Sequence, residues 1–216
     1  MQEFLNVLGM VIGSYPVNDY DKRITLLTKE CGKITAFVKG ARRQGSRFLA
    51  SSDLFCFGNF DLYVGKSAYN VQDIKVSNYF EFLREDINAA YYGMYFLEII
   101  DYYTRENNDE ALELLLLYRA LQGLKSKNLS NEFVKTVFEI KLFMIEGEFI
   151  PLEKIGSFSD KAYSVIMDHI LNSGIEELFN FKVDDDTFEE MVKVASYERD
   201  KNVDRPLKSY NILSSL

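Results

Sequence analysis

A chain of 216 residues with 47% hydrophobic content has room for one large domain or two small ones, each around a real core. No stretch has the apolar length that a bilayer-spanning helix needs, and the two cysteines, Cys31 and Cys56, are too few for a disulfide framework and too far apart for a C-x-x-C pair. The formal net charge of -8 is unevenly divided, because residues 1–80 hold 10 Lys+Arg against 7 Asp+Glu while residues 81–216 hold 15 against 26. The basic first part is therefore the candidate surface for a polyanion.

The chain opens with MQEFLNVLGMVIGSYP, which lacks a basic n-region and alternates in polarity, so it reads as a strand and not as a secretory signal. A soluble, cytoplasmic protein is the default expectation. Two-residue periodicity continues at Ile24, Leu26 and Thr28, at Ile34, Ala36 and Val38, and at Phe60, Leu62 and Val64. A last strand sets Val71, Asp73 and Lys75 against Gln72, Ile74 and Val76. Turn signals lie between them at Pro16 to Asp21, at Glu30 to Gly32, across a basic loop with Gly40 and Gly45, and at Gly65 to Asn70. Five strands in about 80 residues predict an α+β chain: a five-stranded antiparallel barrel such as an OB-fold, or a small open sheet, over residues 1–80, then a helical domain over 81–216.

After Phe80 the period becomes helical. Helices are predicted over Arg84–Tyr103, over Glu110–Leu124 with Asn108 or Asp109 as N-cap, and after Ser130, where Phe133, Val137, Ile140 and Met144 share a face that ends near Gly147. Ser159–Asn172 is predicted helical as well. A further helix follows Thr187, whose spacing to Glu190 suits a capping box, with Phe188, Met191, Val192 and Ala195 on one side.

Most enzyme classes lack their residues here. There is no Gly-rich phosphate loop, no G-x-S-x-G and no H-E-x-x-H, and the lone histidine, His169, has no nucleophile or base beside it in sequence. Asp184, Asp185 and Asp186 directly precede a helix start, where negative charge is favourable without any metal. The aromatic run from Tyr91 to Tyr103 has helical spacing and reads as packing. The stretch FVKGARRQGSRF, Phe37 to Phe48, is different: it carries Lys39, Arg42, Arg43 and Arg47 with no acidic residue. If Lys33 to Lys39 is a strand, Lys33, Thr35, Phe37 and Lys39 share one face and lead into this loop. Cations that track phosphates, interleaved with an aromatic face that accepts bases, are what single-stranded nucleic acid requires.

The segment DYDKRITLLTKECGKITAFVKGARRQGSRF, Asp19 to Phe48, resembles the RecO family of bacterial recombination mediators, with its Leu-Leu-Thr run, Gly-Lys, then Lys-Gly-Ala-Arg-Arg and Ser-Arg. The likeness continues more weakly through FCFGNFDLYV, through the helical FLREDINAAYYGMYFLEIID, through Met144–Leu152 and into RPLKSYNIL near the C-terminus. What the resemblance implies is an N-terminal OB-fold followed by an all-helical domain, in a bacterial, nucleoid-associated protein that is not an enzyme. Its implied work is to bind single-stranded DNA, and by extension duplex DNA, to anneal complementary strands, and to help RecR load the RecA recombinase. The implied partners are RecR and the C-terminal tail of single-strand DNA-binding protein. Many relatives carry a four-cysteine zinc cluster after a Gly-x-x-Pro-like segment, but EGEFIPLEKIGSFSDKAYSV contains no cysteine, so no structural zinc and no cofactor are expected.

The residues expected to meet DNA are Arg23, Lys33, Phe37, Lys39, Arg42, Arg43 and Arg47, with no catalytic and no metal residue. Phe37 also suits a core position, since small barrels bury parts of both faces near their ends. The alternative from another class is a protein-interaction scaffold whose basic barrel loop binds an acidic partner.

Overall fold

The computed structural model describes residues 3–66, 68–149 and 160–214. Five strands open the chain: β1 (Phe4–Val17), β2 (Asp21–Thr28), β3 (Gly32–Val38), β4 (Phe57–Val64) and β5 (Tyr69–Asn78). They close into a barrel of order β1-β2-β3-β5-β4, antiparallel throughout except for a short parallel contact of β3 with β5. That closure is the OB-fold. It is possible because β1 is long: Phe4 to Met10 pair with β4, while Gly9 to Val17 pair with β2, the register shifting between Val11 and Gly13.

The alternation read in the sequence fills this barrel. Val7, Val11, Ile24, Leu26, Ile34, Ala36, Val38, Phe60, Leu62 and Val71 form its core. Removing most of one such side chain, as in Phe60→Ala, costs roughly 3–5 kcal/mol. Two local readings change. The strand β1 runs on through Pro16 and Val17, which pair with Lys22 and Asp21, so the turn is only Asn18 to Tyr20. Proline is tolerated there because this end of β1 has a partner on one side alone. In β5, Asp61 faces Asp73 and the next residue, Leu62, faces Val71, so Gln72 is an extra residue in a bulge. The bulge resets the alternation and lets both Val71 and Ile74 pack toward the core.

The helical residues form a short 3-10 turn (Glu81–Arg84), then α1 (Ile87–Tyr103), α2 (Ala111–Leu124), α3 (Asn131–Ile145), α4 (Asp160–Val165, continued as a π-helical turn to Leu171), α5 (Asp185–Asn202) and α6 (Lys208–Leu213). The contacts divide the chain into two compact units, one of Met1–Glu85 with Leu97–Leu114 and the other of Asp86–Phe96 with Leu115–Leu216.

In the first unit, β2 turns into β3 at Gly32, whose φ of 65° and approach to the Arg105 carbonyl leave no space for a Cβ. The Lys33 amide donates to that same carbonyl at 2.9 Å.

In the second unit, α3 is the centre. Ser130 caps it by accepting from the Phe133 amide at 3.1 Å, as its sequence predicts. The single apolar face predicted for it is too narrow, since every residue from Phe133 to Phe143 is buried. The charges among them are paired. Glu139 takes a hydrogen bond from Tyr95 and an ion pair from Arg199 at 3.3 Å, with Lys135 at 3.5 Å from its other oxygen. Lys141 donates to the carbonyls of Ile170, Leu171 and Ser173 at 2.7, 3.2 and 3.0 Å, capping the end of the π-helical turn.

The cap of α5 is Asp184 and not Thr187: its carboxylate accepts from the Thr187 amide and hydroxyl at 3.1 and 2.9 Å and pairs with Lys161. The Lys161 bond, followed by those from Thr187, holds this carboxyl well below the usual range. Asp109 accepts from the Ala111 amide at the start of α2. His169 is exposed and stacks on Phe181. Tyr95 and Phe96 from the aromatic run are wholly buried. The Ser159 end of the predicted fourth helix and residues 150–152 of the Met144–Leu152 segment lie outside the described residues.

Candidate nucleic-acid interface

The outer face of the barrel is set by strand parity. With Ile34, Ala36 and Val38 buried, Lys33, Thr35 and Phe37 must point outward, and Phe37 does so as a half-buried residue outside the core cluster. In the register, Tyr15 of β1 faces Arg23 of β2, and Arg23 faces Phe37 of β3. Three strands thus present a Tyr-Arg-Phe row, with the Arg23 guanidinium over the Tyr15 ring at 5.2 Å.

The basic loop leaves β3 at Lys39 and folds back on the β1–β2 turn. The Gly40 amide donates to the Asp21 carboxylate at 2.8 Å, the Arg42 amide to the Tyr20 carbonyl at 2.8 Å, and the Arg42 guanidinium to the Asn18 carbonyl at 3.0 Å. Arg43 lies over the Tyr20 ring at 5.2 Å. Gly40 and Gly45, at φ of 66° and 74°, allow the two reversals this path needs. The loop and the β1–β2 turn therefore form one surface, continuous with the Tyr15–Arg23–Phe37 row.

Arg47 is held differently. Its guanidinium donates to the Gln72 carbonyl at 2.7 Å, pairs with Asp73 at 3.2 Å and lies over the Phe48 ring at 4.6 Å. Among the described residues no carboxylate lies within ion-pair distance of Arg23, Lys39, Arg42 or Arg43, and all four are exposed.

Lys33 stands apart from this group. Its ammonium donates to the Asp101 carbonyl at 2.5 Å and to the Asp101 carboxylate at 3.0 Å, within the same unit. It shares the outer face of β3 with Phe37 but is tied to α1 at the far end of the strand.

So the structure places Arg23 and Phe37 side by side on β2 and β3, Lys39 just beyond Phe37, Arg42 and Arg43 against the β1–β2 turn, and Arg47 against β5. The sequence did not single out Tyr15 and Tyr20, which are 51% and 54% exposed and sit under two of the arginines. The available signal was their place beside and within the turn segment Pro16 to Asp21. Cations alternating with open aromatic rings can neutralise successive phosphates and stack unpaired bases.

The chain matches the family description "Recombination protein O N terminal" over residues 1–80 and "Recombination protein O C terminal" over residues 84–154. It belongs to the RecO family. The chain is 30% identical to the DNA repair protein RecO of Clostridium novyi over 146 residues, which cover 68% of the chain and 57% of that relative. It is 33% identical to the RecO of Alkaliphilus metalliredigens over 139 residues, 64% of the chain and 56% of the relative. These two matches span little more than half the length of the relatives. A match to the RecO of Acetivibrio thermocellus is 24% identical over 244 residues and covers 99% of the chain and 97% of the relative.

The zinc cluster that the resemblance brings to mind does not fit this chain. A thiolate site needs several cysteines close together, and Cys31 and Cys56, both free, lie in the barrel unit. The segment that would carry the ligands, residues 146–165, holds no cysteine, and residues 150–159 of it lie outside the described residues.

Proposed function

We propose that this RecO-family chain binds single-stranded DNA along the outer face of its barrel and promotes annealing of complementary strands in recombinational repair. The observation that carries this is the run of arginine–aromatic pairs, Arg23 on Tyr15, Arg43 on Tyr20 and Arg47 on Phe48, on a face rich in unpaired cations in an otherwise acidic chain. Residues 1–80 serve as the DNA-binding domain and residues 81–216 as the helical domain. Arg23, Lys39, Arg42, Arg43 and Arg47 neutralise phosphates, Phe37, Tyr15 and Tyr20 stack bases, and Lys33, held by Asp101, supports the edge of the face.

Annealing needs no bond chemistry. Two strands repel each other through their phosphates, and a surface that neutralises this charge while leaving base edges free lets them pair. No catalytic residue takes part. The family relation supports assistance to RecR in loading RecA on DNA coated by single-strand DNA-binding protein, with that protein's C-terminal tail as a contact, in the bacterial cytoplasm at the nucleoid. No described helix is long and apolar enough to cross a membrane.

The test is annealing of two complementary oligonucleotides followed by energy transfer between end labels. The wild-type chain accelerates pairing, and Arg42→Glu/Arg43→Glu reduces the acceleration at least tenfold. An acceleration equal in both proteins overturns the assignment, and binding of the barrel loop only to an acidic peptide establishes the scaffold reading in its place.

A further inference from the structure

A groove of about 490 Å³ opens at the end of the barrel where β1, β2 and the basic loop meet the exit of β5. Its walls are apolar and aromatic, with Leu54, Phe55, Tyr79 and Leu83, and its rim carries Lys22, Arg42 and Arg84 against a single carboxylate, Asp53. Lys22 and Arg84 both turn to Asp53, at 2.5 and 3.6 Å, which leaves the lining with an excess of two positive charges. Two phenylalanines of the lining, Phe55 and Phe80, have φ of 69° and 50°, in the left-handed region that non-glycine residues rarely occupy. Such strain is retained where the surrounding structure imposes it and collects at ligand sites.

We propose that this groove is a one-nucleotide subsite: it takes the base of a single nucleotide between its aromatic walls and the phosphate at Arg84, Lys22 and Arg42. The size suits one nucleotide, within the roughly 300–1,000 Å³ of small-ligand pockets. The charge suits an anion, and an aromatic wall beside a guanidinium suits a base more than an aliphatic acid. Arg42 belongs to both the groove and the basic loop, so one cation is common to the two. The inference rests on the DNA-binding reading and adds a specific end-point to it. The nucleotide can come from a strand terminus or from an everted internal position, and both present the same base and phosphate.

The chain has no tryptophan, so Tyr79→Trp places one indole in the groove wall. Saturable quenching of that indole is expected with dAMP, and at lower concentration with a 5′-phosphorylated oligonucleotide, and adding Arg84→Glu to this variant should weaken it at least tenfold. Quenching by a linear strand but not by a circular one assigns the site to strand ends; quenching by both assigns it to an everted nucleotide. In the chain with Tyr79 intact, Arg84→Glu should lower dAMP competition for a fluorescein-labelled oligonucleotide by a similar factor. The proposal is overturned if no nucleotide quenches the indole, if Arg84→Glu changes neither measurement, or if only an oligoglutamate peptide binds. Anisotropy of a labelled circular single strand keeps the two readings apart: binding of the circle when neither dAMP nor a linear strand quenches the indole removes the groove alone, and no binding removes the interface as well.

Discussion

Arg47 donates from its guanidinium to the carbonyl of Gln72, 2.7 Å away, at the bulge of β5. Gln72 is the residue that the antiparallel ladder leaves over, and the arginine gives its carbonyl a side-chain donor. The same side chain pairs with Asp73 and covers Phe48. Arg47 is thus a clamp between the basic loop and β5 as well as a member of the cationic face, whereas Lys39, Arg42 and Arg43 have no carboxylate partner among the described residues.

Substituting Arg47 should therefore lower stability as well as affinity. Arg47→Ala is expected to cost about 1 kcal/mol, the scale of one hydrogen bond with a weak exposed ion pair. Urea unfolding followed by circular dichroism measures this. The variant Arg43→Ala should unfold within about 0.5 kcal/mol of wild type, as exposed substitutions do.

The buried group around Glu139 should be far more sensitive. Glu139 and Arg199 lie 3.3 Å apart with almost no exposed surface, and Tyr95 donates to the same carboxylate oxygen. Burial, then the Glu139 charge, pushes the Tyr95 phenol well above its usual range, so it remains a donor at neutral pH. Arg199→Met leaves a buried carboxylate short of its partner and should destabilise by about 3–5 kcal/mol, while Glu139→Leu/Arg199→Met, which removes both charges, should recover much of the loss. Equal loss in the single and double variants would count against a charge-pairing role.

Cys56 should resist thiol reagents until the barrel opens. Burial, with the Asp53 charge adding to it, pushes its thiol up to about 12 from an ordinary value near 9. The folded value lies above the unfolded one, so the thiol's contribution to stability is complete below pH 9 and is lost as the pH rises through about 12. Titration with a chromogenic disulfide at pH 8 should show Cys31 reacting first and Cys56 only as fast as the native barrel opens, and Cys56→Ala should reduce the loss of stability between pH 9 and 12.

The barrel was legible because each strand declares itself locally: Ile24, Leu26, Ile34, Ala36 and Val38 alternate inward, and Gly and Asn residues mark the reversals. What depends on distant residues was not. Gln72 carries no mark of a bulge, and the consequence, that Val71 and Ile74 both reach the core, follows only from the register with β4. The burial of Lys135, Glu139 and Lys141 has no local sign, since their partners include Arg199, 60 residues on from Glu139, and Ile170, 29 residues on from Lys141. For the site, the basic loop stood out because no acid interrupts it. The tie of Lys33 to Asp101, 68 residues away, and the support that Tyr15 and Tyr20 give to Arg23 and Arg43 arise only when the barrel closes.

The most direct test of the account is fluorescence anisotropy of a labelled single-stranded oligonucleotide across a salt series, for wild type and for Lys39→Glu/Arg42→Glu/Arg43→Glu, with Arg47 kept as the clamp. Five phosphate contacts, from Arg23, Lys39, Arg42, Arg43 and Arg47, give a slope of log affinity against log salt of roughly -3.5, at about 0.7 per contact for a single strand. The account predicts that slope for wild type and, for the variant, a slope nearer zero with at least tenfold weaker binding at low salt and an unchanged circular dichroism spectrum. Equal affinities and equal slopes for the two proteins would contradict it.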